Sequence, residues 1–260
     1  MELWEAVILG LVQGATEFLP VSSSGHLVVA QQLLGVRVEG VFFEVTVHVA
    51  TLVSIVLVYR ARLLALAQGV MARRPEALRY VGFVALATLP AALVGLGLQD
   101  ALEAMFDAPE VVAGAFLVTG AVLWSSRIPL RRGLARALTS RIAIAIGVAQ
   151  CLALVPGISR SGSTVVAALW LGVAPVEAAA FSFLMAIPAI GGAAVLQAPE
   201  LISGTPGVSV VALLAGSAAA AVSGVAAIVV FVRLLERRSF HRFAPYLWVL
   251  GVAFFAWLRL

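Results

Sequence analysis

Apolar residues in this chain run in long blocks separated by short polar clusters, instead of alternating with polar residues. Six blocks, about 41–59, 81–98, 111–126, 176–195, 208–232 and 245–260, are nearly free of full charges. A helix of roughly 20 such residues crosses a bilayer core, so six transmembrane helices are expected. Two further stretches are interrupted. Segments 4–19 and 27–36 flank the polar run Pro20 to His26, and 142–155 and 163–173 flank Pro156 to Gly162. Each half is too short or too polar to cross alone. Non-helical backbone at membrane depth needs protein or water around it, so each stretch is expected to be a re-entrant broken helix pair.

The two interrupted stretches resemble each other. A shift of 137 residues lays Gly10 on Gly147, Gln13 on Gln150, Ser22 on Ser159, Ser24 on Ser161, Gly25 on Gly162 and Gly35 on Gly172. With one inserted residue, Phe43-Glu44 falls on Phe181-Ser182. Counting crossings, the first pair starts from outside and the second from inside. The expected fold is therefore an all-α polytopic membrane protein, a single membrane domain over 1–260. It is an inverted-topology repeat of about 1–126 and 142–260. Sites in such folds lie where the copies meet, at broken helices.

Composition sharpens this picture. Apolar residues make up 62% of the chain and charged residues 12%, against about 25% charged in a soluble domain. All 17 basic residues are arginine. Most fall in three clusters: Arg60 to Arg79, Arg127 to Arg141, and Arg233 to Arg242. Clusters beside apolar spans mark cytoplasmic loops, so the basic balance reports orientation and not nucleic-acid binding, for which aromatic interleaving and a known module are missing. The acidic residues Glu39, Asp100, Glu103, Asp107, Glu110 and Glu200 fall in the loops assigned to the outside. One cysteine, Cys151, excludes an internal disulfide. Glu2 and Glu5 stand where a cleavable signal would be basic.

Chemistry is concentrated in the broken segments. Gln13 and Glu17 share one helix face; a glutamate at that depth faces a cavity or partner and is a candidate base or ligand for a hard cation. Ser22, Ser23, Ser24 and Gly25 offer hydroxyls and amides to an oxyanion at a helix start. His26 follows as a nucleophile, proton donor or metal ligand. In the second segment Arg160 presents a planar fork suited to phosphate, surrounded by Ser159, Ser161, Gly162, Ser163 and Thr164. A bland alternative is an ion pair of Arg160 with Glu17 or Glu44 that merely locks the copies together. Glu44 is a candidate second carboxylate, His48 a weaker candidate at a polar seam, and His241 reads as surface. Gly191-Gly192 reads as a close helix contact. Together these residues make an anion site best fitted to phosphoryl transfer. An inverted-repeat transporter or flippase for a lipid or small anion is the rival.

The segments Gln13 to His26 and Pro156 to Thr164, with Phe43-Glu44-Val45 and Phe181 to Pro188, resemble the signature segments of the bacitracin-resistance type undecaprenyl-diphosphate phosphatases. The resemblance covers nearly the whole chain. It implies hydrolysis of the C55 isoprenyl diphosphate carrier to its monophosphate for cell-wall synthesis, with a divalent cation, Mg²⁺ or Ca²⁺, in the inner membrane. It also implies a catalytic set of Glu17, Ser23, His26 and Arg160, with Gln13, Glu17 and Glu44 toward the metal. The first acidic position of the motif is Gln13 here, which puts cation binding there in question. The cavity is expected to open to the periplasmic side. Membrane lipid and the polyprenyl substrate are the expected partners, and a homodimer is compatible with the sequence.

Overall fold

The computed structural model describes residues 1–36, 42–106, 108–197 and 208–260, and every regular element in them is helical. The first interrupted stretch forms α1 (Leu3–Phe18) and α2 (Ser23–Leu34), followed by α3 (Phe42–Val58). The arginine loop after it is itself a helix, α4 (Arg60–Met71), bent by 82° from α3. Next come α5 (Pro75–Gly97), α6 (Gln99–Phe106), α7 (Pro109–Ser125) and α8 (Arg127–Arg132). The second interrupted stretch forms α9 (Ser140–Leu152) and α10 (Arg160–Trp170). The chain continues through α11 (Pro175–Leu196), α12 (Val210–Glu236), a 3₁₀ turn (Phe240–Arg242) and α13 (Phe243–Trp257). Glu39, Asp107 and Glu200 lie outside the described residues.

Among the described residues, four stretches are long and apolar enough to cross a membrane: Pro75–Gly97, Pro109–Arg132, Pro175–Leu196 and Val210–Glu236. The bent α3–α4 pair is a fifth if counted as one span. The chain is thus a multi-pass membrane protein. Helices α5, α7 and α11 each begin with proline in the first turn, where its missing N–H leaves no bond unmade. That explains why α5 starts before the apolar block at 81. The helix runs through Glu76 and Arg79, and a charge-free window finds the apolar stretch, not the helix ends. In the same way α2 begins at Ser23, so Ser23 to His26 form a first helical turn instead of a loop.

Helices in lipid gain little from hydrophobic association and pack through small residues. Gly10 and Gly14 of α1 lie so close to α12 that a Cβ on them would stand 2.1 Å from the Gly216 carbonyl oxygen and 2.0 Å from that of Ala220. Gly147 of α9 meets α5 in the same way, 2.4 Å from the Ala87 oxygen. In both cases contacts advance together along the chain, Gly10 to Gly216 then Gly14 to Ala220, and Gly147 to Ala87 then Leu154 to Gly95. Each first half-helix therefore runs parallel to a long helix of the other half of the chain. By contrast, nothing lies within 4 Å of a Cβ built on Gly191 or Gly192 among the described residues. The expected close contact there is not made. Deeper in, Phe183 packs edge-on against Phe18 at 5.5 Å and Phe231 at 5.0 Å, joining α11, α1 and α12.

Candidate active site

The second half-helices of the two broken pairs share their caps and closing turns. Ser22 caps α2 by accepting from the Gly25 N–H at 3.4 Å, and Ser159 caps α10 by accepting from Gly162 at 3.0 Å. The hydroxyl pairs Ser22–Ser24 and Ser159–Ser161 each stand 3.3 Å apart. Both second half-helices end on a left-handed glycine, Gly35 at φ 65° and Gly172 at φ 86°. After each, a valine N–H closes the turn: Val36 donates to Gln31 at 3.0 Å and Val173 to Ala168 at 2.9 Å. One angle differs. Ser22 has φ 71° whereas Ser159 has φ −71°, so Ser22 holds a backbone conformation that favours glycine and costs about 1–3 kcal/mol.

The tips of the pairs meet. Ser161 donates to the Leu19 carbonyl at 3.2 Å. Gly25 sits where a Cβ would be 3.0 Å from the Gly157 Cα and 2.7 Å from the Phe116 ring. Thr119 of α7 donates to the Gly157 carbonyl at 2.9 Å and accepts from the Ser159 N–H at 3.2 Å, fixing the second loop. The caps consume the Gly25 and Gly162 amides. The first two amides of each half-helix, those of Ser23 and Ser24 and those of Arg160 and Ser161, have no protein acceptor among the described residues. Open N–H groups at a helix start suit an oxyanion.

At this junction Glu17 is the hub, 7% exposed. Arg160 donates to its Oε1 at 2.6 Å, and its other guanidinium arm reaches the Ser182 carbonyl at 3.1 Å. Ser23 donates to Glu17 Oε2 at 2.6 Å and Gln13 Nε2 to the same oxygen at 3.0 Å. The ion pair is thus with Glu17 and not Glu44, which instead accepts from Gln31 at 3.0 Å. His48 Nε2 stands 3.7 Å from Glu17 Oε2, so the histidine with the weaker sequence signal lies closer to the hub than Glu44 does through any bond it makes. Buried Thr164 ties the Arg160 turn to Ser182, 2.7 Å between hydroxyls. Ser163 is buried on the same turn, its N–H donated to Ser159.

His26 belongs to a neighbouring arrangement and shares no hydrogen bond with that network. Its Nδ1 is 2.8 Å from the Ser22 carbonyl, which can only accept, so Nδ1 carries the proton. Nε2 then accepts from the Tyr246 hydroxyl at 2.7 Å. The ring lies against Tyr246, 20° from parallel, and edge-on to Phe116. Sequence reading missed Tyr246, Phe116 and Thr119. They sit on apolar helices whose local pattern says only that the helix is buried.

A cation bound here would need oxygen donors. Gln13 Oε1 is buried with no hydrogen-bond partner among the described residues, beside the Glu17 carboxylate. No group of three or more His, Cys, Asp or Glu able to hold a metal occurs among the described residues. The Glu17 carboxylate beside the Gln13 amide oxygen is a donor pair of the kind that suits Mg²⁺, which is held by one or two carboxylates with water and substrate phosphate completing its shell.

The family model for bacitracin resistance protein BacA matches residues 6–253. The undecaprenyl-diphosphatase of Alcanivorax borkumensis is 42% identical, covering 99% of this chain and 100% of that protein. That of Gemmatimonas aurantiaca is 41% identical over 99% and 98%, and that of Desulfosudis oleivorans 40% over 96% and 97%. With a match this complete, and with both broken helix pairs inside it, the chain belongs to the bacitracin resistance protein BacA family.

Proposed function

We propose that this protein hydrolyses undecaprenyl diphosphate to undecaprenyl phosphate and inorganic phosphate, recycling the lipid carrier for cell-wall synthesis. The observation that carries the reading is the junction of Arg160 and Glu17 beside four open helix-start amides, in a chain whose relatives bear the name of that activity along their full length. The relatives' shared name does not favour the transporter alternative.

In this reading the lipid tail lies between helices and the diphosphate enters the junction. Arg160 and the amides of Ser23, Ser24 and Ser161 neutralise and orient the phosphoryl oxygens, with Ser22, Gly25, Ser159, Gly162, Ser163 and Thr164 holding the two turns in shape. Water adds across the P–O–P bond; its proton passes to the site and the leaving lipid phosphate takes one back. Ser23, donating to Glu17, is set up as an attacking hydroxyl with its base. His26 Nε2 offers a lone pair for attack on phosphorus or for moving the proton. Gln13 and Glu17 would hold a divalent cation, with Glu44 further out. When bound, it supplies charge neutralisation at the diphosphate.

We also propose six crossings and an inverted-topology repeat of about 1–126 and 142–260, with α3 and α13 as the remaining spans. Support comes from the exchanged packing of α1 on α12 and α9 on α5. Further support is that α5 starts beside Arg74 while α12 ends at Arg233 to Arg238, so the two guiding helices run oppositely relative to the arginine-rich face. Both ends of the second pair lie at that face: α9 begins at Arg141, and Arg136 packs over Gly172 beyond α10. The first pair then opens to the periplasmic side of the inner membrane.

The test is phosphate release from a C55 or C15 isoprenyl diphosphate by purified protein, with and without EDTA. Release that stops with EDTA and returns with Mg²⁺ or Ca²⁺ is expected. No release in any metal, with lipid still bound, would sink the reading. Trapping the phosphoenzyme separates the routes: an acid-stable adduct lost in Ser23→Ala names Ser23, an acid-labile one lost in His26→Ala names His26, and none names water.

A further inference from the structure

Away from the membrane junction, the arginine-rich face holds a cavity of about 300 Å³ lined by Arg127, Leu130, Arg131, Arg238 and His241. Three elements build it: α8, the residues just after α12, and the 3₁₀ turn. Among the described residues, three of its five lining residues are arginines and no carboxylate lines it. None of the three forms an ion pair among the described residues, where Arg62 and Arg160 both find a glutamate. Like charges converging without a partner repel, and arrangements of that kind persist where an anion belongs.

The fork nearest the wall is already organised. The Arg127 guanidinium carbon sits over the Trp124 ring, 3.7 Å from its centroid. Its Nε is buried with no hydrogen-bond partner among the described residues. That contact holds the fork in place and leaves its edge for planar, multi-point recognition. Arg238 stands at φ 55°, in the left-handed position that closes α12 and that glycine usually fills. Leu130 provides an apolar floor, 4% exposed. The field is positive enough to act on its neighbour: burial, then Arg127, Arg242 and Arg131, push the protonation of His241 down.

We infer that this cavity binds a phosphate group, distinct from the catalytic junction, through the forks of Arg127, Arg131 and Arg238. Two sources share that chemistry: the anionic headgroup of a lipid in the adjoining leaflet, for which basic pockets at a cytoplasmic face are suited, and free inorganic phosphate. The site is built from residues that the proposed hydrolysis does not use.

Thermal unfolding of the purified full-length protein tests it, since a ligand that binds the folded state raises the midpoint. One arm titrates inorganic phosphate in detergent against chloride at matched ionic strength. The other compares phosphatidylcholine nanodiscs with and without a minor fraction of phosphatidate. The variants are Arg131→Gln and Arg238→Gln, with Arg131→Lys keeping charge without the fork and Arg141→Gln as an exposed control. The expected result is a rise in midpoint in at least one arm, with apparent affinity weakened about tenfold in each glutamine variant, the loss of one strong charge-assisted contact. Arg131→Lys falls between, and Arg141→Gln behaves as wild type. A response in the nanodisc arm alone names the lipid; a response to inorganic phosphate alone names the free ion. Equal responses in wild type and both glutamine variants, or an equal loss in Arg141→Gln, would overturn the site. Retained phosphate release by Arg131→Gln and Arg238→Gln reports that they are folded.

Discussion

The two broken helix pairs share a backbone and divide the chemistry. α1–α2 and α9–α10 have the same serine cap, the same hydroxyl pair and the same left-handed glycine exit. Yet the side chains at corresponding places differ. Glu17 corresponds to Leu154, Ser23 to Arg160, and His26 to Ser163. One pair brings the carboxylate and the imidazole, and the other brings the guanidinium. A duplicated frame can thus place opposite charges face to face, since each copy is free to change where the other is already occupied.

The sharpest way to break this division is Arg160→Ala. It leaves Glu17 buried without its cation, which costs about 3–5 kcal/mol of stability. It also removes a charge stabiliser at phosphorus, for which a loss on the order of 10²–10³ in kcat is expected. Thermal unfolding and phosphate release measure the two effects separately. Unchanged turnover in a stable variant would reduce the pair to a clasp between the two copies.

Next comes a matched substitution. His26→Ala should slow phosphate release by about 10²–10⁴, the usual reach of a positioned acid–base group, while Ser163→Ala at the corresponding place changes it by less than tenfold. Equal losses would mean that the halves are chemically equivalent after all. Gly10→Ala and Gly147→Ala probe the frame instead. Each new methyl meets a backbone oxygen, and each should lower stability by about 1–3 kcal/mol; a loss in only one would show that the two halves are not packed alike.

The smallest effect concerns the paired glutamines. Gln150 is buried with neither amide atom hydrogen-bonded, whereas Gln13 donates to Glu17. Gln150→Leu is expected to be neutral or to raise stability by about 1 kcal/mol. Gln13→Leu should keep the fold and weaken cation-dependent activity, read as a higher Mg²⁺ requirement. If both leave the metal dependence untouched, the orphaned Gln13 oxygen has no role in holding a cation.

Much of this was legible beforehand because it is written in local pattern. The glycines at 35 and 172, the serines at 22 and 159 and the polar breaks in apolar runs all act within a few residues of themselves, so spacing alone reveals them. Arg160 and Glu17 were legible for a different reason: a full charge at that depth requires a partner, and few candidates existed. What stayed hidden was contact between distant segments. Tyr246 reaches His26 across 220 residues, and nothing around it marks one tyrosine of an apolar helix as a donor. His48 reads as the weaker candidate because its place on α3 also suits a polar helix seam, but α3 turns His48 and not Glu44 toward the hub. The arginines of 60–71 mark a loop between apolar runs, yet Arg60 to Met71 is rich in alanine and leucine and forms α4.

The Glu17–Arg160 bond has a further consequence for the proposed reaction. An incoming phosphate does not meet a bare guanidinium; it meets one already occupied by a resident carboxylate, and has to displace it. Net affinity is then an exchange between two anions and falls well short of what a lone buried arginine would give. When the reaction ends, the carboxylate is still tethered a hydrogen-bond length away, at an effective concentration no diffusing ion can match. It acts as an internal competitor that reclaims the arginine and hastens the departure of phosphate. The residue that seems to block the site would in this way keep it from being poisoned by its own product.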